Sequence, residues 1–169
     1  WFSDDSVAVV EAEAWLRATF GITQEGALWA LSPALAQDAR LIRGQALWDA
    51  AAYDEARTEF DDLISSYETD PLASYQLAIY LRGLGAYQDS IVAAASVIRA
   101  ASVGTLDAPR FIARMRSPAY YLDAVQTGAD RFNLDPLLLL ALIRHESLFD
   151  IYATAAAGEK GLTQVIPPT

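Results

Sequence analysis

The chain has no cysteine and a single histidine among its 169 residues. Disulfides and thiolate metal sites are therefore excluded, and a site built on several histidines is impossible. No metal or organic cofactor is implied. Strand signals are almost missing: β-branched alternation bounded by Asn-Gly or Gly-Gly turns does not occur. Long apolar runs are missing too. The longest, Leu137 to Ile143, has seven residues, far short of the roughly 20 that a membrane-spanning helix needs. Trp1-Phe2-Ser3-Asp4-Asp5 is no secretory leader. The chain opens on Trp1 and closes on Ile166-Pro167-Pro168-Thr169, so both ends read as cuts and a longer parent protein is expected.

A basic excess is also lacking. The formal charge is −10. Residues 1–107 hold sixteen acids against six arginines, and residues 108–169 hold six acids against six bases. An acidic front part argues against a nucleic-acid partner, which selects for a basic face. A solvated acidic surface is the plain reading of it.

What is present is helix-forming sequence. Alanine, leucine, glutamate and arginine dominate, and apolar positions recur at three- and four-residue steps. The fold class is all-α. Helices are expected from Ser6, as N-cap, to Phe20, then over about 34–51, 54–67, 72–84, 87–101 and 108–116. Ser117-Pro118 reads as an N-cap with proline at the first helical position, opening a helix to Arg131 or Phe132. Asp135-Pro136 repeats that start signal. Within this series Ala51-Ala52-Tyr53-Asp54-Glu55-Ala56 is similar to Gly85-Ala86-Tyr87-Gln88-Asp89-Ser90. The same offset of about 34 residues, the period of tetratricopeptide-like units, relates Leu41 to Tyr75, Leu47 to Leu81 and Ile64 to Ile98. In Tyr53-x-x-Ala56-x-x-x-Phe60 the aromatics pack while the small alanine lets helices approach. The alternative is two ordinary antiparallel helical hairpins. Small and turn-forming residues over 101–109, where the charge balance also changes, place a boundary after 107. The expectation is thus a helical-repeat region over 1–107 and a second domain over 108–169.

The chemistry concentrates after Asp135. The apolar run Leu137–Ile143 predicts a buried helix, and Glu146 stands about 15 Å along it. A buried carboxylate has a raised pKa, which is what a general acid needs. Ser147, Phe149 and Asp150 come next, then a small-residue loop from Ala153 to Gly158, then Gly161-Leu162-Thr163-Gln164-Val165-Ile166-Pro167. A helix ending in Glu-Ser, with such a loop behind it, can form one wall of a cleft.

Glu146-Ser147-x-Phe149, Ala153, Gly158 and Gly161-Leu162-x-Gln164-x-x-Pro167 resemble the catalytic signature of the soluble lytic murein transglycosylases, with the family spacing kept throughout. The Leu-Asp-Pro before the helix and the Ile-Arg before the acid agree with it. The resemblance covers 135–169 by motif and 35–134 by its helical, repeat-bearing architecture. It implies the first helices of a lysozyme-like domain, incomplete here, behind a tetratricopeptide-like platform. It implies a lyase acting on peptidoglycan glycan strands in the periplasm or cell envelope. Glu146 would be the single catalytic acid and base, cleaving the MurNAc–GlcNAc β-1,4 bond and closing a 1,6-anhydro ring on the muramoyl residue. Gln164 would bind substrate by lining the sugar groove, the plainer alternative being an amide bonded to backbone. Asp150 is the one nearby candidate for a second carboxylate, against a solvated helix-end aspartate. Ser147 is read as holding the helix end, His145 as a packing or surface residue pointing away from Glu146, and Phe149 and Tyr152 as core or groove wall. Two departures stand out. Ala155 occupies the position of a usual serine, and the family's downstream motifs have no counterpart, so the 169-residue chain alone is expected to be inactive. The rival reading is a non-enzymatic repeat scaffold, with a protein partner on the repeats, that keeps a decayed signature.

Overall fold

The computed structural model describes residues 6–166; Trp1–Asp5 at one end and Pro167, the last position of the signature, at the other lie outside it. Among the described residues the chain is all-α. There are helices but no strands, and the only β geometry is two isolated bridges near the C-terminus, Thr154–Lys160 and Lys160–Val165. Two compact units result, divided between Ser117 and Pro118.

The first unit contains α1 (Ser6–Phe20), α2 (Pro33–Ala36), α3 (Ala39–Asp49), α4 (Tyr53–Ser66), α5 (Pro71–Leu84), α6 (Tyr87–Ala100) and α7 (Arg110–Arg116). The single helix expected over 34–51 is broken. Ser32 caps Leu35 N and starts a one-turn helix at Pro33, and Asp38 then caps Arg40 N and starts α3. Two N-caps so close together end one helix and begin another, because each offers backbone N–H groups a side-chain acceptor. The unit also ends later than the boundary after 107. Helix α7 packs on α6 and α1, with Phe111, Ile112 and Met115 in the core, so it belongs to this unit.

The 34-residue offset returns as backbone geometry. Helices α4 and α6 start at Tyr53 and Tyr87 and end at Ser66 and Ala100. The same turn precedes both: Ala52 N donates to Leu47 O and Ala86 N to Leu81 O, each at 2.9 Å. Ala51 and Gly85 sit at matching places with positive φ, 60° and 88°. The paired helices α3–α4 and α5–α6 are antiparallel hairpins whose interiors are filled differently. In the first, Gly44 faces Phe60 so closely that a Cβ would come within 2.4 Å of the ring. In the second, the corresponding positions carry Ala78 and Ala94, both buried, and the Ser90 hydroxyl donates to Ala78 O at 2.7 Å. A large residue against glycine is exchanged for two small ones, so the second hairpin fills the matching place with less side-chain volume.

Two buried polar side chains tie the segment before α2 to the helices. The Glu13 carboxylate on α1 accepts from Leu28 N at 2.8 Å and Trp29 N at 3.2 Å. Gln76 on α5 donates to Leu28 O and accepts from Ser32 N. Irregular backbone there is thereby satisfied while Leu28 and Leu35 are buried. Tyr75 lies wholly inside, edge-on to Phe111, and burial pushes its phenol up.

The second unit holds α8 (Leu122–Phe132), α9 (Pro136–Ser147) and the segment 148–166. Ser117 does not cap α8 as expected. It ends α7, and α8 opens five residues later behind Tyr121, a left-handed residue at φ 58°. Helix α9 begins as its sequence predicts, with the Asp135 carboxylate accepting from Leu137 N and proline in the first turn.

The packing of Gly44 sets a first stability experiment. Gly44→Ala should destabilise the first unit by about 1–3 kcal/mol, the usual cost of overpacking; Phe60→Leu should offset part of that loss in a double-mutant cycle read by urea unfolding. A second concerns acid. Its hydrogen bond with the Arg40 side chain holds the Asp38 carboxyl below its ordinary range. A depressed carboxyl contributes stability above its unfolded pKa and loses it as pH falls through the folded one. The difference in urea midpoint between the native chain and Asp38→Asn should therefore be largest near neutrality and shrink below about pH 4.

Candidate active site

Helix α9 delivers Glu146 one residue before its end, and a chain reversal just beyond it fixes the surroundings. Leu148 and Phe149 both adopt left-handed backbone, φ 49° and 66°. Phe149 turns inward there to lie wholly buried against Tyr120, ring centroids 5.6 Å apart and perpendicular. Phe149 is thus core, as its sequence position suggested. Tyr152 is exposed.

The loop after the reversal is folded back on itself. Gly158 N donates to Ala155 O, Ala155 N to Glu159 O and Gly161 N to Ala153 O at 2.8 Å. Gly158 and Gly161 take positive φ, 93° and 67°, which accounts for the Gly-x-x-Gly spacing. Ala155 is exposed at the turn. The Ser147 hydroxyl lies 3.2 Å from Ile143 O and 2.9 Å from Leu162 O, so it joins the end of α9 to the far arm of the loop. Its role is structural, as expected, since the hydroxyl proton is engaged with backbone.

Gln164 has the arrangement foreseen as its plainer alternative. Its Nε2 donates to Ala153 O at 3.1 Å and to Gly161 O at 2.7 Å. Both amide hydrogens are thereby spent on the loop, so a ligand could meet only the amide oxygen.

Four expectations are corrected. Helix α9 is not apolar-buried all round: Leu140 and Ile143 are inside, but Leu137 is 71% exposed, with Leu138 and Leu142 exposed beside it. The Glu146 side chain is correspondingly 35% exposed, so the burial invoked for it is not found. Asp150 is not a solvated aspartate; it is buried, and its Oδ1 accepts from Tyr152 N at 2.8 Å, making it a brace for the turn. His145 does not point away from the acid. Its Nδ1 lies 3.3 Å from Glu146 Oε1. Neighbours on a regular helix diverge, yet in the last turn both side chains are long enough, and open enough to solvent, to meet. Spacing alone gave no sign of this contact.

No group of acids and histidines that could hold a metal occurs among the described residues, and no described helix is long and apolar enough to cross a membrane.

Residues 123–169 match the family model described as Transglycosylase SLT domain. No curated protein matches the chain. The match supports a lytic transglycosylase family for this segment.

The loop gives a test independent of activity. Ser147→Ala removes the tie to Leu162 O, a hydrogen bond worth about 0.5–1.5 kcal/mol. Amide exchange at Gly161 and Gln164 should then quicken by roughly two- to tenfold, while α3–α6 exchange as before. Mass-spectrometric exchange over peptides 150–166 reads the change in the loop, and peptides from α3–α6 serve as the control.

Proposed function

We propose that this chain carries the acid-bearing part of a peptidoglycan lytic transglycosylase, in which Glu146 is the single general acid and base. One observation carries the reading. Within the segment matching the transglycosylase model, a half-exposed carboxylate stands at the end of α9, beside a loop tied to that same helix end by Ser147. The protonated Glu146 gives its proton to the glycosidic oxygen as the bond from the muramoyl C1 to that oxygen breaks. The resulting carboxylate takes the proton of the muramoyl 6-hydroxyl as O6 bonds to C1. The 1,6-anhydro ring closes, and water is not consumed. The sugar supplies the nucleophile, so the second carboxylate of ordinary glycosidases is not required. The buried, turn-bracing position of Asp150 agrees with that scheme.

Gln164 belongs to the substrate groove in this reading through its amide oxygen, with its nitrogen holding the loop. The first unit, with its tetratricopeptide-like offset, serves as a platform, with a protein partner as its candidate ligand, and the whole acts in the periplasm or envelope. The 169-residue chain alone turns over poorly, because an acid on an open face cannot hold a sugar in reactive geometry. The scaffold reading is favoured by one feature, the engagement of both Gln164 amide hydrogens within the loop.

General acid–base groups contribute about 10²–10⁴-fold. Glu146→Gln, made in the protein as it naturally occurs, should cut release of 1,6-anhydro muropeptides from purified peptidoglycan by roughly that factor. Its thermal unfolding should stay nearly unchanged, because surface substitutions seldom move stability by more than about 0.5 kcal/mol. Retention of near-native turnover, read by chromatography of the soluble products, would leave the scaffold in its place.

A further inference from the structure

Among the described residues, the Glu146 carboxylate has one polar partner, the imidazole of His145. Four other carboxylates of this unit are employed elsewhere. Asp130 accepts from Gln126, Asp135 from Leu137 N, Asp150 from Tyr152 N and Glu159 from Ala157 N. His145 is also the only histidine of the chain, and its side chain is 84% exposed. An exposed histidine with no core to fill stands within hydrogen-bonding distance of the residue that the proposed chemistry uses twice.

We propose that His145 is the positioning residue of Glu146, holding the carboxyl through Nδ1 in both of the states it passes through. This rests on the transglycosylase reading of Glu146. The acid must be a donor at the start and a carboxylate after the first proton transfer. A neutral imidazole can serve each state, because one ring nitrogen is a donor and the other an acceptor. With Nε2 protonated, Nδ1 accepts from the carboxylic O–H when no sugar oxygen does. With Nδ1 protonated, it donates to the carboxylate. The ring is exposed, so Nε2 gives its proton to water while Nδ1 takes one from water; the change of tautomer needs no other protein group, draws no proton from Glu146, and leaves the proton count unchanged. His145 touches neither the scissile bond nor the 6-hydroxyl; it acts through Glu146. A lysine there could serve only the ionised acid, whereas a glutamine can turn its amide and serve both.

The test has two arms. The first needs no activity. With one histidine in the sequence, its two ring nitrogens are assigned without ambiguity in a long-range nitrogen–proton spectrum of the whole chain. At alkaline pH the Nδ1-protonated fraction should fall on Glu146→Ala. The helical circular dichroism should not change. An identical tautomer ratio in the two proteins would overturn the contact, whatever the enzyme does. The second arm is kinetic, in the protein as it naturally occurs. His145→Ala should lower kcat about two- to tenfold, the worth of one hydrogen bond, with KM unchanged. His145→Gln should restore most of that loss and His145→Lys should not. Equal kcat in all four proteins, or a loss confined to KM, would overturn the positioning role. If Glu146→Gln keeps its activity, the transglycosylase reading fails while the tautomer arm still decides whether the pair exists.

Discussion

The reversal at Leu148–Phe149 is the constraint on which the second unit turns. Left-handed backbone is unfavourable for residues with a Cβ, by roughly 1–2 kcal/mol each. Burying a phenylalanine returns about 1.5–3 kcal/mol, and the contact of Phe149 with Tyr120 fixes where the ring goes. Because α9 stops there, Glu146 is left in its last turn, open to solvent. Because the chain doubles back, the loop arm bearing Leu162 returns to the Ser147 hydroxyl. The acid and the loop of the signature are thus neighbours through this reversal and the packing of Phe149 on Tyr120 that anchors it.

That event also explains what the sequence made legible and what it did not. Caps and breakers are local, so Asp135-Pro136 located the start of α9, and the bounds of α4, α5 and α6 came within a residue of those observed. The transglycosylase signature was legible because its glycines answer to backbone needs that no other residue meets cheaply. Burial was misjudged because a run of leucines reports composition, not which faces have neighbours. Seven apolar residues in α9 read as interior, yet only Leu140 and Ile143 of them are buried. The same limit hid Asp150, whose burial depends on the turn it braces, and His145, whose meeting with Glu146 depends on the helix ending where it does. Caps missed between Ser32 and Asp38 cost the break between α2 and α3, since apolar periodicity runs across both.

Gln164 illustrates how a residue of a recognition signature can carry two burdens. The amide nitrogen closes the loop, which leaves the amide oxygen for the groove role proposed for it. An amide suits this; a carboxylate of the same shape has no hydrogen for Ala153 or Gly161.

The unequal filling of the two hairpins has a consequence for the order in which such sequences can change. Position 44 has no room for a methyl group while position 60 is aromatic, whereas positions 78 and 94 both hold alanine. A path from one filling to the other through single substitutions runs downhill in volume first: the ring must shrink before the glycine can grow. Taken in the reverse order, the first step meets a clash. The pair at 44 and 60 is therefore a ratchet, and it lets two hairpins of one backbone geometry drift apart in sequence while each remains locked to its own solution.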